Sequence, residues 1–291
     1  MAEDLDKLVV QYRDSVISRR EFIQRSAILT GGFTAAATLT ESLGSAAARA
    51  AQVDAHDLAL ASSEVQFAST DGARVSGYLT RPKDDASHPA IVVIHENRGL
   101  NDHIRDVARR LAKAGYVALA PDLLSRQGGT ASFPSSDAAI EGIRKLDEET
   151  ITKDLNGAID YLKKQEFVRA NKIGVVGFCW GGGNALLIAT RNKDLAAAVV
   201  YYGRNPKNLE DVRNINAAVL GHYGEKDERI TSQVPELDEA MKKYGKSFEH
   251  KVYAGAPHAF NNDANPQRYN AEAAKEAWSR TLEFFKKHLQ G

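Results

Sequence analysis

The stretch Gly174–Leu186, "GVVGFCWGGGNAL", decides the fold. Its first half continues an apolar, β-branched run, "KIGVVGF", with the composition of a buried strand. The second half opens "GGGNALLIATRN", which has the apolar spacing of a helix. Between them stands Cys179, the only cysteine in 291 residues, flanked at Gly-x-Cys-x-Gly spacing by Gly177 and Gly181. A strand that turns sharply into a helix lifts the residue at the turn above the end of a sheet. Strand and helix then pass so closely that the flanking residues must be small. The same turn puts Cys179 at a helix N-terminus, where free amides and the dipole favour negative charge. A lone cysteine is more often a small buried hydrophobe than a reactive group. The stretch lacks the Lys-Ser/Thr of a phosphate loop and the full spacing of a dinucleotide fingerprint.

Outward from this turn the chain alternates strand and helix patterns. "EVQFAS" and "RVSGYLTRP" read as a hairpin around Asp71-Gly72. "AIVVIHE" reads as a strand buried on both faces, and "DHIRDVARRLAKAGY" as a helix ended by Gly115. "VALAPDLL" is a strand, "SRQGGTASFPSSD" a loop and "EETITKDLNGAIDYLKKQ" a helix. After the turn come strands in "LAAAVVYYG" and "NAAVLGHYG", a helix in "QVPELDEAMKKYG", a strand in "SFEHKVYAG" and a helix from Tyr269 to Leu289. This order predicts an α/β fold with a mostly parallel sheet, helices on both faces and the hairpin at one edge. Residues 63–291 form one domain in this reading. Ligands in such sheets bind beyond the carboxyl ends of the strands.

Composition narrows the function. Lysine plus arginine equal aspartate plus glutamate at 38 each, so nothing electrostatic favours nucleic acid or an anionic membrane. One cysteine excludes an intrachain disulfide and a Cys-based zinc site. His95, Glu96 and His103 are close in sequence, but no second histidine lies four residues after His95. No metal or other cofactor is expected.

A reactive thiol needs a base and an acid that orients it. Asp227 in "GHYGEKDERI" follows the second strand after the turn, and His258 in "YAGAPHAF" follows the next. Nucleophile, acid, histidine is the chain order of the α/β-hydrolases. Glu225 is the alternative acid.

With these residues assembled, the chain from about Ser63 to Leu289 resembles the dienelactone hydrolase family of α/β-hydrolases, the carboxymethylenebutenolidases. "GFCWGG", "GEKD" and "HAF" match its motifs, and Glu96 in "VVIHENRG" matches a glutamate after the corresponding strand. The resemblance implies an α/β-hydrolase fold and cleavage of a small ester or lactone by Cys179, Asp227 and His258. It implies that Glu96 contacts the thiol. Backbone amides of Asn97 and Trp180 would hold the oxyanion, each such donor being worth about 3 kcal/mol. Dienelactone-cleaving members bind the substrate carboxylate with arginines, one of them four residues after the histidine. Here that position is Asn262, and Arg98, Arg126 and Arg144 are candidates for the second. The competing readings are a redox or stress sensor, which would not need Asp227 and His258, and a binding protein that keeps only the fold.

Residues 1–51 read differently. Ser18-Arg19-Arg20-x-Phe22-Ile23 precedes a weakly apolar run from Ala27 to Leu39, and small residues come after it at Ala48 and Ala50. This resembles a twin-arginine export signal, which implies the export machinery as partner and a periplasmic protein. The run is too short to span a membrane. The alternative is an amphipathic helix, with Leu5, Leu8, Val9, Tyr12 and Val16 on one face, on a cytoplasmic protein.

Overall fold

The computed structural model describes residues 52–291 and, within the N-terminal segment, Leu5, Leu8, Val9, Phe22, Arg25, Ser26, Ala27 and Leu29. Leu5, Leu8 and Val9 are helical. Arg19, Arg20, Ala48 and Ala50, which carry the export reading, lie outside the described residues. No helix among the described residues is long and apolar enough to cross a membrane.

Strands β1 (Leu60–Ala68) and β2 (Arg74–Pro82) form the expected hairpin, Leu60 opposite Pro82. Its turn closes because Gly72 takes φ 84° and the Asp71 carboxylate accepts the Ala73 amide at 3.2 Å. Strands β3 (His88–Ile94), β4 (Val117–Pro121), β5 (Val168–Phe178), β6 (Ala197–Tyr201), β7 (Ala218–Gly224) and β8 (Phe248–Tyr253) complete one eight-stranded sheet. Its order is β1-β2-β4-β3-β5-β6-β7-β8, antiparallel through β2–β4 and parallel from β4 to β8. The first connection swings β4 outside β3, and the later strands add on the other side of β3. β3 and β5 therefore lie side by side at the centre, their carboxyl ends together.

Alternation along the strands splits the core in two. Val92, Ile94, Val175 and Val200 face helices α3 (Glu148–Lys163), α4 (Trp180–Arg191) and α6 (Val234–Lys243). Ile91, Val93, Val176 and Val199 face α1 (Asp102–Lys113) and α7 (Ala271–Phe285). Three of the helices begin at Asx caps visible in the sequence. The Asn101 side chain caps α1 at the Ile104 amide, Asp147 caps α3 and Asn270 caps α7. The loop expected over residues 125–137 contains two short 3₁₀ turns and runs into a further helix, α2 (Ser136–Arg144), which the sequence pattern does not announce. Its apolar face is only Ala139 and Ile143, packed on Leu124, Phe133 and Trp180, too short to show a period. A single turn, α5 (Glu228–Thr231), comes after β7.

Candidate active site

At the end of β5 the chain reverses into α4 through Cys179, at φ 55° and ψ −115°. A side chain at φ > 0 in such a turn persists only where its surroundings hold it. Here they do. The Cys179 amide donates to Tyr201 O on β6 at 3.0 Å, and Cys179 O accepts from the Gly183 amide. The glycines are steric necessities: a Cβ on Gly177 would sit 1.9 Å from Gly181 O. One on Gly181 would sit 2.4 Å from the carbonyl oxygens of Ile94 and His95, and one on Gly182 2.5 Å from Tyr201 O.

The loops after β7 and β8 bring two further side chains to this turn. His258 Nε2 lies 3.0 Å from Cys179 Sγ, and His258 Nδ1 hydrogen-bonds to Asp227 Oδ2. Asp227 is buried and His258 and Cys179 are half-buried. Burial opposes charge on His258, but the hydrogen bonds and charges of Asp227 and Cys179 outweigh it and lift the imidazole pKa to about 9. Glu225, the alternative acid, accepts the Gly255 amide at 2.8 Å instead.

Glu96 lies buried just past β3, yet no hydrogen bond joins it to Cys179. The contact implied by the family resemblance is therefore not a hydrogen bond in this structure. Sγ faces His258, while Glu96 Oε2 accepts from Asn262 Nδ2 at 2.7 Å and Oε1 is buried without a hydrogen-bond partner. Both ends of the Asn262 amide are thus engaged, its Oδ1 accepting the Ala264 amide at 3.1 Å. The Trp180 amide stands at the first position of α4, where no intrahelical acceptor exists, and Asn97 comes directly after Glu96 in the facing loop.

The arginine candidates separate clearly. Arg126 is bound by buried Asp154 (2.7 Å) and by Asp71 (2.8 Å), which tie α3 to the β1–β2 turn and raise its pKa further. Arg144 pairs with Glu141 on the exposed face of α2. Both are thus engaged by carboxylates, whereas Arg98 lies in the loop that carries Glu96 and Asn97.

His95 is a core histidine. Its Nδ1 donates to Glu96 O at 2.7 Å, its Nε2 accepts the Leu123 amide at 3.2 Å, and its ring stacks on Trp180. Burial pushes its pKa down, so it stays neutral with both nitrogens engaged by backbone. No group of three or more side chains suited to a metal ion occurs among the described residues.

Two features escape a reading of the sequence. Tyr202, at the end of β6 and at φ 40°, is fully buried with its ring edge-on to His258 at 5.1 Å. Its hydroxyl lacks a well-formed hydrogen bond, the Asn261 backbone being the polar group beside it. Burial, then the charges of Glu96 and Cys179, push its pKa well up, so it stays a neutral phenol. The second feature is Asp122, which accepts from the Thr130 amide (2.6 Å) and hydroxyl (2.7 Å). Thr130 Oγ1 in turn accepts the Leu100 amide, pinning the loop that carries Glu96 and Asn97. The doubled tyrosine before Gly203 is the only available signal for Tyr202; the Asp122–Thr130 link leaves none.

Comparison with known proteins identifies the family and the fold. Two proteins named "Putative carboxymethylenebutenolidase" are similar to the chain. That of Methylorubrum extorquens is 34% identical, covering 98% of this chain and 97% of its own length. That of Saccharolobus solfataricus is 36% identical, covering 76% and 97%. The crystal structure of a protein from Klebsiella pneumoniae described as "Putative Dienelactone Hydrolase" superposes with a TM-score of 0.72 at 32% identity, over 79% of this chain and 99% of that one. With residues 75–289 matching the Dienelactone hydrolase family as a whole, the chain belongs to that family, hydrolases of ester and lactone bonds built on the α/β-hydrolase fold.

Proposed function

We propose that the protein hydrolyses a small ester or lactone through Cys179 as nucleophile, His258 as acid–base and Asp227 as its orienter. The observation that carries this reading is the continuous chain Sγ–Nε2 at 3.0 Å and Nδ1–Oδ2, at the C-terminal edge of a parallel sheet. Cys179 attacks the carbonyl carbon as the thiolate, its proton held on His258. The amides of Asn97 and Trp180 take the oxyanion. His258 protonates the departing alkoxide, leaving a thioester. Water, deprotonated by His258, then attacks the thioester, releases the carboxylate and restores Cys179. In a lactone the leaving oxygen stays tethered to the acyl group through both steps, and the product is a single open-chain hydroxy acid. The names of the relatives favour an unsaturated lactone bearing a carboxylate, for which Arg98 is the candidate partner. A redox role draws on a glutamate beside the cysteine, and Glu96 bonding to Asn262 gives it no support.

The test is a panel of p-nitrophenyl esters and small lactones with wild type and Cys179→Ala. Turnover should vanish in a folded variant, and iodoacetamide should inactivate the wild type. Retained turnover in Cys179→Ala would exclude the cysteine mechanism. We propose further that residues 1–51 direct export by the twin-arginine route to the periplasm.

A further inference from the structure

The loop that delivers His258 is held from outside the site. Asp263, just past Asn262, accepts from three directions: His103 Nδ1 at 3.1 Å, Arg110 Nη2 at 2.6 Å and Gln52 Nε2 at 2.9 Å. Arg110 also pairs with Asp106 one turn earlier on α1, its Nε donating at 2.7 Å. The Asp106 carboxylate takes the chain as it enters the fold, accepting the Gln52 amide at 3.2 Å and the Val53 amide at 2.9 Å. Arg109 Nε donates to Val53 O at 2.9 Å. Asp106 and Arg110 are buried, at 2% and 8% exposed, and Asp263 is partly buried at 12%.

Charges buried to this degree are costly to dehydrate, and apolar residues of the same volume often stabilise as well or better. What such a node supplies instead is position. It joins three parts distant in sequence: the entering chain, α1 and the end of the His258 loop. Between His258 and Asp263 the backbone passes through Ala259 at φ 64°, and Asn262 holds Glu96. The local bonds of this stretch stay within the loop: the Asn262 amide donates to Ala259 O, the Asn265 amide to Asn262 O, the Ala264 amide to Asn262 Oδ1 and the Asn270 amide to Phe260 O, and none of them reaches α1.

We propose that Asp263 is a positioning residue of the active site: through Arg110 and Asp106 it ties the His258 loop to α1, with Gln52 and Val53 completing the tie. The inference rests on the reading of His258 as the acid–base. Burial opposes ionisation of Asp263, but the hydrogen bond from His103 and the charge of Arg110 hold its pKa at about 2, so the tie stays charged at working pH.

The experiment uses the full chain and a neutral p-nitrophenyl ester. Asp263→Asn should lower kcat about tenfold, within what an ångström of misplacement costs, and leave KM within about twofold. Its alkaline limb of activity should move to lower pH as His258 loses its alignment with Asp227 and Cys179 beside the Tyr202 ring. Amide exchange should quicken over residues 258–265. Gln52→Ala removes one exposed hydrogen bond, folds regardless, and should shift the same readouts in the same direction by about two- to threefold. Asp154→Asn, which breaks the remote ion pair to Arg126, is the control: it should lower Tm and leave kcat and the limb unmoved. A folded Asp263→Asn with wild-type kcat and limb, or with no more effect than Asp154→Asn, overturns the proposal. Turnover that survives Cys179→Ala and His258→Ala would instead fail the functional reading, and exchange in Asp263→Asn would then decide alone whether Asp263 sets the loop.

Discussion

His258 stands between a buried carboxylate and a thiol, and those two partners set its behaviour. Its pKa of about 9 lies above the ordinary 6.5, so the pair it forms is fully present below about pH 6.5 and is lost as pH rises through about 9. Stability from this group follows that sign. So does activity, because the proton given to the leaving group resides on His258. We therefore expect kcat/KM to fall on the alkaline side with an apparent pKa near 9, read from a pH–rate profile. Asp227→Asn removes the ionised acceptor at Nδ1. It should move that limb to lower pH and reduce turnover by up to about 10⁴-fold. Combined with His258→Ala it should add little, since residues acting as one unit are not additive. Independent, multiplying losses would break the assignment.

At the scale of elements, the turn from β5 into α4 is a packing problem solved by glycine. Gly181→Ala would drive a Cβ into the backbone of β3, at 2.4 Å from Ile94 O and His95 O, and neither oxygen can move without shifting the strand. We expect a loss of several kcal/mol of stability and of nearly all activity. Gly183→Ala meets nothing closer than 3.4 Å and should be neutral or gain up to about 1 kcal/mol from helix propensity. Thermal melts and ester turnover of both variants check this. The same turn explains how legible the protein is. Strands buried on both faces and capped helices announce themselves in apolar runs and Asx residues, so sheet and elbow can be read directly. α2 cannot, because it packs only Ala139 and Ile143 into a small satellite cluster. Nor can the partner of Glu96. Which hydrogen bond a buried carboxylate takes depends on where the loop after β8 lies, and that depends on contacts between residues far apart in sequence. For the same reason Arg126 and Arg144 look equal to Arg98 in sequence, although they pair with Asp154 and with Glu141.

Across the whole molecule, the N-terminal segment meets the folded body at a defined point. Gln52 and Val53 are bonded to Asp106 and Arg109, and Gln52 also to Asp263. The similarity to the Methylorubrum extorquens protein covers 98% of this chain, so it reaches well into residues 1–51. If the segment is a twin-arginine signal, removal after Ala50 leaves the node complete, whereas removal beyond Val53 takes away three of its backbone partners. The processed protein should therefore begin at or before Gln52, as read from the intact mass of the periplasmic form. Replacing Arg19 and Arg20 by lysine should leave unprocessed chain in the cytoplasm, because that route reads the paired guanidinium groups and not merely positive charge. Full-length wild-type protein confined to the cytoplasm would exclude export. A fully active periplasmic form starting beyond Val53 would show that the entering chain contributes nothing to the site, and only the tie between Asp263 and α1 would then be left to hold the His258 loop.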